Sequence, residues 1–531
     1  MDSVARHILD LSRRRLLRGA TAMAALAATR PGFSQRVTPM PVFRSDPFPL
    51  GVASGDPWPD GVVIWTQLSQ DPLGDGGLPA APLELGWEVA EDEGFSRIAA
   101  RGTVIAWPEL NHSVRVEVTG LRPLATYHYR FLAGGVASPV GRTRTAPPRN
   151  SRPARMRFVS AGCQHYEQGL YTAWRHVAAE PDLDFVFHYG DYIYEGRANT
   201  ERSGNFPAIR SHNSPVVETL ASYRRRYALY QLDPDLRAAH HAHPFLMSFD
   251  DHEVDNNWAG AASMRAGVSP ETFALRKAAA FQAWYEALPL RRAQIPQEPD
   301  IMAYRGIEWG TLASISVLDT RGFRDDQPCG DFVKPVCEAV LNPAAHVLGP
   351  AQEEWLFGRL AGAEAVWNIL AQQVVMMRRD VGGVSGDDSP RYDMDKWDAY
   401  PAARARLLNH ARDARVPGLV VLSGDVHTAW AGTLRPDYDR EGPPVGVEFI
   451  ASSMSSAGDG NEMSATGRRA LERNPHIAFF NGRRGYTLHE ADARRMETWF
   501  RAVPYVSRPG APLEDRARFV VEAGRADLVR S

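Results

Sequence analysis

Phe185-Val186-Phe187-His188-Tyr189-Gly190-Asp191-Tyr192-Ile193-Tyr194 is a short apolar run that stops at a glycine and presents a carboxylate at the turn. An apolar run without polar alternation marks a strand covered on both faces. Similar runs recur at 156–160, 245–249, 312–318, 366–370 and 419–423, with helical stretches between several of them. The pattern predicts helices over 275–288 and 352–363, the second opening after Gly349-Pro350. Buried strands alternating with helices imply an α/β (α+β) sandwich over about 155–500, within a catalytic unit that runs from 155 to 531 and ends in a tail. That tail reads as irregular after Arg483, closing with one strand over 519–522.

Upstream the pattern changes. Residues 62–66, 83–89, 114–118 and 126–131 are short segments rich in β-branched and aromatic residues, several strictly alternating, with turn residues between them. They predict an all-β sandwich over 45–147. The stretch Leu121-Arg122-Pro123-Leu124-Ala125-Thr126-Tyr127 resembles the turn and tyrosine-bearing strand of a fibronectin type III or immunoglobulin-like sandwich. The Pro-rich polar stretch 146–153 reads as the linker between the two units.

A chain of 531 residues exceeds one core, and 44% apolar with 23% charged residues excludes extended disorder. A formal net charge of −3 lacks the basic surplus of a nucleic-acid binder, so no such partner is expected. Ser12-Arg13-Arg14-Arg15-Leu16-Leu17-Arg18, followed by a short uncharged stretch to Ala28, is a twin-arginine pattern. It predicts a signal peptide over 1–34, cleaved between Ala27 and Ser34, and passage through the twin-arginine export machinery to the periplasm or beyond. That route moves folded proteins, which suits an enzyme loaded with metal before export. No later segment approaches a membrane span, so no transmembrane anchor is expected, and the enzyme is expected to be a monomer. In an oxidising compartment Cys329 and Cys337, eight positions apart in a loop with Gly and Pro, can close a small disulfide ring. Cys163 is left over.

The chemistry-bearing blocks sit at strand ends. Gly190 permits a sharp turn that places Asp191 where one carboxylate can bridge two cations, and Tyr194 can return to the same place as a phenolate. Asp250-Asp251-His252-Glu253 brings carboxylates together that repel unless a cation compensates. Gly424-Asp425-Val426-His427 ends another strand, and Gly162-Cys163-Gln164-His165 offers a thiolate at the end of the first, with His165 not counted as a ligand. Taken with Ser452-Ser453-Met454-Ser455-Ser456, the set points to one polynuclear metal site with hydrolytic chemistry.

Block by block, Gly-Asp-x-x-Tyr resembles the purple acid phosphatase type of metallophosphoesterase, in which a tyrosinate suits ferric iron. The Asp-Asp-His-Glu block resembles Gly-Asn-His-Glu with Asp in place of Asn, which implies Asp251 on a metal and His252 beside the phosphate. Gly-Asp-Val-His resembles Gly-His-x-His with a carboxylate for the first imidazole, a hardening that favours calcium over zinc. As an ordered set with Gly51-Val52-Ala53-Ser54-Gly55-Asp56, Leu318-Asp319-Thr320-Arg321 and Asp255-Asn256-Asn257, the motifs are similar to those of the alkaline phosphatase D-like (PhoD-type) family over about 48–460. The resemblance implies a β-sandwich before a metallophosphoesterase-like core, with ferric iron and calcium as cofactors. Cys163, Asp191 and Tyr194 would then hold iron with His427 or Asp425, and Asp251 with the other of that pair would hold calcium. Asn256 and Asn257 are weaker candidates for metal or phosphate contact. The implied reaction is attack of a metal-bound hydroxide on a small or polymeric phosphate ester, with Asp191 and His252 catalytic. The competing expectations are a phospholipase D-like or teichoic-acid-directed phosphodiesterase, and a non-catalytic surface-binding protein.

Overall fold

In the computed structural model, residues 39–199, 201–297, 299–383 and 388–531 are described, so the twin-arginine pattern and the expected signal peptide lie outside the described residues. The amino-terminal part contains strands β1 (Val52–Trp58), β2 (Gly61–Gln67), β3 (Leu83–Ala90), β4 (Ile98–Ala106), β5 (Ser113–Val118), β6 (Thr126–Ala133) and β7 (Gly141–Arg144). β1, β2 and β5 form one antiparallel layer, and β4, β3, β6 and β7 form a second. Burial along β6 alternates residue by residue, sending Tyr127, Tyr129 and Phe131 into a core shared with Val62, Ile64 and Val118 of the facing layer. The Tyr127 hydroxyl accepts the Arg122 backbone N–H at 2.8 Å and so closes the turn before β6. The stretch 146–153 carries no strand or helix.

The remainder is built on two sheets. The first contains β8 (Met156–Ala161), β9 (Phe185–His188) and β10 (Pro244–Met247), all parallel. The second contains β11 (Arg305–Trp309), β12 (Ala313–Val317), β13 (Trp367–Ala371), β14 (Leu419–Ser423), β15 (Ala429–Leu434) and β16 (Gly446–Ile450), in the order β11-β12-β13-β14-β16-β15. Alternate residues of each strand face opposite layers, which is why the strands are apolar throughout. Phe158, Phe185, Phe187 and Leu246 of the first sheet meet Ile315, Ile369, Val420 and Phe449 of the second in a core between the sheets.

Helices cover the outer faces. α1 (Thr172–Ala178), α2 (Leu220–Gln231), α3 (Pro234–Ala242) and α4 (Pro270–Ala287) bury Trp174, Tyr227, Leu236 and Trp284 against Val159, Val186 and Phe245. α5 (Gly349–Ala361) and α6 (Pro401–Asp413) bury Leu356, Leu360, Leu407 and Leu408 against Leu370 and Val421. α4 starts five residues earlier than periodicity predicts, because the Ser269 hydroxyl accepts the Thr272 N–H and Pro270 occupies the first turn.

Two findings depart from the sequence reading. The amino-terminal layer is not separate from the core: β1 pairs in parallel with β10, Ser54 opposite Pro244 and Gly55 opposite Phe245. The tail is not irregular. It forms an antiparallel meander of β17 (Ile477–Ala491), β18 (Arg495–Val503) and β19 (Glu514–Glu522). β17 pairs with β15 near its start and with β8 near its end, so one strand joins the two sheets. The charged residues that made this stretch look irregular are accommodated by hydrogen bonds. Arg484, buried inside β17, donates to Ser453 Oγ at 2.8 Å and also bonds the carbonyls of Ser456 and Gly482. Cys329 and Cys337 are joined by a disulfide with Cα atoms 5.8 Å apart. Among the described residues no helix is long and apolar enough to cross a membrane.

Candidate metal centre

The loops leaving β8, β9, β10 and β14 all emerge at the carboxyl ends of their strands and converge on one rim, the position where α/β sheets collect ligands. Close approach is what their glycines permit. A Cβ on Gly424 would stand 2.2 Å from the Tyr189 ring, and one on Gly162 would stand 2.5 Å from it, so two loops rest on one buried aromatic floor. Tyr189 is fixed by its hydroxyl, which donates to the Ser452 carbonyl at 2.5 Å.

Cys163, Asp191, Asn257, Asp425 and His427 all have positive φ, between 49° and 66°. Such backbone costs on the order of 1–3 kcal/mol per residue and persists only where surrounding bonds enforce it. Those bonds are present. Cys163 N–H donates to the Gly190 carbonyl at 3.0 Å and Gln164 N–H to the Asp191 carbonyl at 3.1 Å. Glu253 accepts the backbone N–H groups of Asp250, Asp191 and Tyr192 at 2.8, 3.0 and 2.5 Å, stapling the β9 and β10 loops together. Ser456 Oγ donates to the Cys163 carbonyl at 2.8 Å and lies 2.8 Å from the Tyr194 hydroxyl, which accounts for the serine block.

Three groups of ligand atoms result. Cys163, Asp191 and His427 each offer one atom within 4.8 Å of the others; so do Asp250, Asp251 and Asp425; and Asp191, Asp251 and His252 bridge the two sets. Tyr194 belongs with the first set, its hydroxyl donating to Asp191 Oδ2 at 2.8 Å and lying 3.0 Å from His427 Nε2. Asp425 and His427, two residues apart, therefore fall in different groups. Asp191 and Asp251 side chains are only 2% and 3% exposed, whereas His252 and His427 are 18% and 28% exposed and form the mouth.

His252 is oriented by a residue not counted among the sequence candidates. Its Nδ1 lies 2.7 Å from Glu195 Oε2, leaving Nε2 toward the centre, 4.0 Å from Asp251 Oδ2. Asn256 and Asn257 contribute through their backbone: their N–H groups donate to Glu195 Oε1 at 3.0 Å and Asp251 Oδ2 at 2.7 Å. Their side-chain amides instead bond Met264 Sδ and Asp331. His165 packs against Tyr194 with the rings tilted by 41° and their centroids 4.4 Å apart, and belongs to none of the three groups.

Further residues surround the second set. Arg321, fully buried, reaches Asp250 at 2.5 Å, Asp395 at 2.8 Å, Asp425 at 3.3 Å and Asp251 at 3.5 Å. Lys396 pairs with Asp425 and, at 2.8 Å, with Asp395, which Arg324 also contacts. Arg321 carries a sequence signal, the Asp319-Thr320-Arg321 block; Asp395 and Lys396 carry none.

The electrostatics of the centre are governed by burial and by the charges of its own groups. Burial pushes the Cys163 thiol well up, and the Asp191, Asp425 and Asp250 carboxylates push it further. Burial, then Asp191 and Cys163, does the same to the Tyr194 phenol. Burial would also raise Asp191, but the His252 and His427 imidazoles hold it below the usual carboxylate range. Burial opposes the charged form of His252, yet Asp251, Glu195 and Asp191 raise it well above an ordinary imidazole. Asp250 Oδ2 and Asp251 Oδ1 are buried without a hydrogen-bond donor. Buried carboxylate oxygens of that kind, beside a thiol and a phenol, are donors suited to metal.

The PhoD-like phosphatase family matches residues 158–500, and the PhoD-like phosphatase N-terminal domain matches 34–147. Alkaline phosphatase D of Bacillus subtilis (strain 168) is 44% identical over 524 residues, covering 97% of this chain and 88% of that protein. The solved structure of PhoD superposes with a TM-score of 0.89 at 45% identity, over 92% of this chain and 93% of that one.

Proposed function

The chain belongs to the PhoD-like phosphatase family and is a phosphoric ester hydrolase, and from that premise we propose that it is an exported phosphomonoesterase and phosphodiesterase working through ferric iron and calcium. The observation that carries the metal reading is the division of the centre. Cys163, Asp191, Tyr194 and His427 supply thiol, carboxyl, phenol and imidazole, a donor set suited to iron. Asp250, Asp251 and Asp425 supply oxygen alone, a set suited to calcium. Asp191 also groups with Asp251 and His252, so it would stand between the two positions. This grouping supports His427 on the iron and Asp425 on the calcium.

Bound cations supply Lewis acidity, acidifying water and neutralising phosphoryl oxygens as charge develops. The protein's own part is positioning and proton delivery. His252 Nε2 faces the centre with Nδ1 anchored on Glu195, and its raised affinity for a proton suits it to protonate the departing alkoxide. The ester enters past His252 and His427, the partly exposed residues of the mouth.

The reading extends to the rest of the chain. The two-layered β unit with its tyrosine-closed turn supports a fibronectin III or immunoglobulin-like sandwich over 45–147. Two packed sheets with outer helices support a metallophosphoesterase-like core over 155–531. The twin-arginine pattern supports a signal over 1–34 and a periplasmic or secreted location, and the disulfide fits an oxidising compartment. The test is elemental analysis of the exported protein alongside hydrolysis of p-nitrophenyl phosphate and bis-(p-nitrophenyl) phosphate. About one iron with one or more calcium ions per chain, and turnover lost on chelation, is the expected result. Zinc alone, or full turnover in metal-free protein, would overturn the metal assignment.

A further inference from the structure

The two ligand sets differ in a feature that donor chemistry alone does not describe: the second already contains cations of the protein's own. Asp250 Oδ1 is occupied by Arg321 Nε and Asp425 Oδ1 by Arg321 Nη2. Asp251 Oδ2 accepts the Asn257 N–H. Asp425 Oδ2, the remaining oxygen of that residue, is in ion-pair contact with Lys396 Nζ. Asp250 Oδ2 and Asp251 Oδ1 are left without a hydrogen bond, with Arg321 Nη2 3.5 Å from the latter. An ion that takes Asp425 as a ligand along with these two must share or displace Lys396.

Lys396 bridges two carboxylates, Asp425 and Asp395. The Asp395 carboxylate is contacted by Arg321 at 2.8 Å, by Arg324 and by the Gln327 amide at 2.8 Å, all on Oδ1, and Lys396 adds one contact on Oδ2. Lys396 itself is 5% exposed, so its ammonium is screened little by solvent. Four carboxyl groups (Asp250, Asp251, Asp395 and Asp425) meet three cations (Arg321, Arg324 and Lys396), so the protein's own cations already offset most of the charge these groups can carry. At the first set the ion-pair partner of Asp191 among the described residues is an imidazole, His427 at 4.0 Å. Arg484 lies behind that set and donates to Ser453 and Ser456.

We propose that Lys396 is a resident cation that competes with the second metal ion for Asp425, making the Asp250–Asp251–Asp425 position weak and exchangeable while the Cys163–Asp191–His427 position is tight. The inference rests on the calcium reading above. Its physical basis is Coulombic: a fixed ammonium a few ångströms from a divalent ion raises that ion's energy, and it holds a ligand oxygen the ion needs. The second position then fills in the roughly 10⁻⁴–10⁻³ M range typical of extracellular calcium modules, so occupancy follows the calcium outside the cell.

The test titrates calcium alone into the full exported chain after chelator stripping, comparing wild type with Lys396→Met and Lys396→Arg by calorimetry, with bound calcium counted by elemental analysis. Removing the charge should tighten calcium binding by about tenfold or more, whereas Lys396→Arg, which keeps the charge, should not tighten it. Lys396→Gln serves as a second neutral variant if the methionine protein does not fold. Equal calcium affinity in wild type and a folded neutral variant overturns the proposal while leaving the calcium reading intact. Absence of calcium binding in every form overturns the calcium reading itself, and this proposal with it.

Discussion

The two halves of the metal centre are built from the same kind of strand-end loop yet solve opposite electrostatic problems. Around Cys163, Asp191, Tyr194 and His427 the donors are chemically mixed, the thiol and phenol are driven toward their neutral forms by burial, and the groups bond mainly to one another. Around Asp250, Asp251 and Asp425 the donors are uniform, and Arg321 and Lys396 already neutralise much of their charge. An ion held at the first position would permit ionisation that burial otherwise opposes; an ion held at the second would replace contacts the protein already makes. On the proposed reading, identity of the ion would be set chiefly by donor type at one position, and occupancy by resident charge at the other.

Asp191 belongs to the first half and, with Asp251 and His252, to the group that links it to the second, so removing its charge should have the largest effect. Asp191→Asn should lower kcat/KM for p-nitrophenyl phosphate by at least about 1,000-fold, the scale of losing a principal electrostatic element in a buried site. Asparagine tolerates the positive φ of this position, so circular dichroism should remain that of a folded protein. A folded variant with full activity would remove Asp191 from the centre. Cys163→Ser probes the first half alone. Iron content should fall by at least about tenfold while calcium binding is retained, because a thiolate ligand is lost and the oxygen set is untouched. Parallel loss of both ions would show that the halves are not separable.

The same division describes what could be read before the fold was known. The first half was legible because Gly162-Cys163, Gly190-Asp191-Tyr192-Ile193-Tyr194 and Gly424-Asp425-Val426-His427 each follow a run of buried apolar residues, and a strand end is a local feature. The second half was legible in Asp251 and Asp425 and only partly in Arg321. Lys396 reaches Asp425 from a segment with no motif, and such a contact exists only once the second sheet has packed. That Asp425 and His427 fall in different groups was readable; which residue joins which group was not, for a related reason. The residues are two apart in sequence, but each has positive φ, and together those backbone reversals send their side chains to different groups. The β17 meander was missed because Arg483, Arg484 and His489 read as surface residues, whereas Arg484 and His489 are buried with hydrogen-bond partners inside the sheet.

Glu195 sharpens the comparison most finely, since it touches neither half and acts through His252 between them. Its carboxylate holds His252 Nδ1 at 2.7 Å and is itself held by the Asn256 N–H at 3.0 Å. Burial opposes an imidazolium here; Asp251, Glu195 and Asp191 overcome it. Glu195→Gln keeps a hydrogen-bond acceptor but removes one of those three charges, so His252 should lose its proton at lower pH. For a group that must be protonated to assist the leaving alkoxide, that moves the alkaline limb of the kcat profile down by about one pH unit. The fall in kcat at neutral pH should be modest, about tenfold, with KM little changed, because Glu195 positions His252 and does not touch the ester. The folded-state linkage has the same sign. A raised imidazole stabilises the fold at pH below its unfolded value and loses that contribution as pH rises through the folded one, so the variant should be destabilised most under acidic conditions. A kcat profile that keeps its alkaline limb in place, with iron and calcium content unchanged, would mean that His252 is not the proton donor and that the leaving group is assisted by the metals alone.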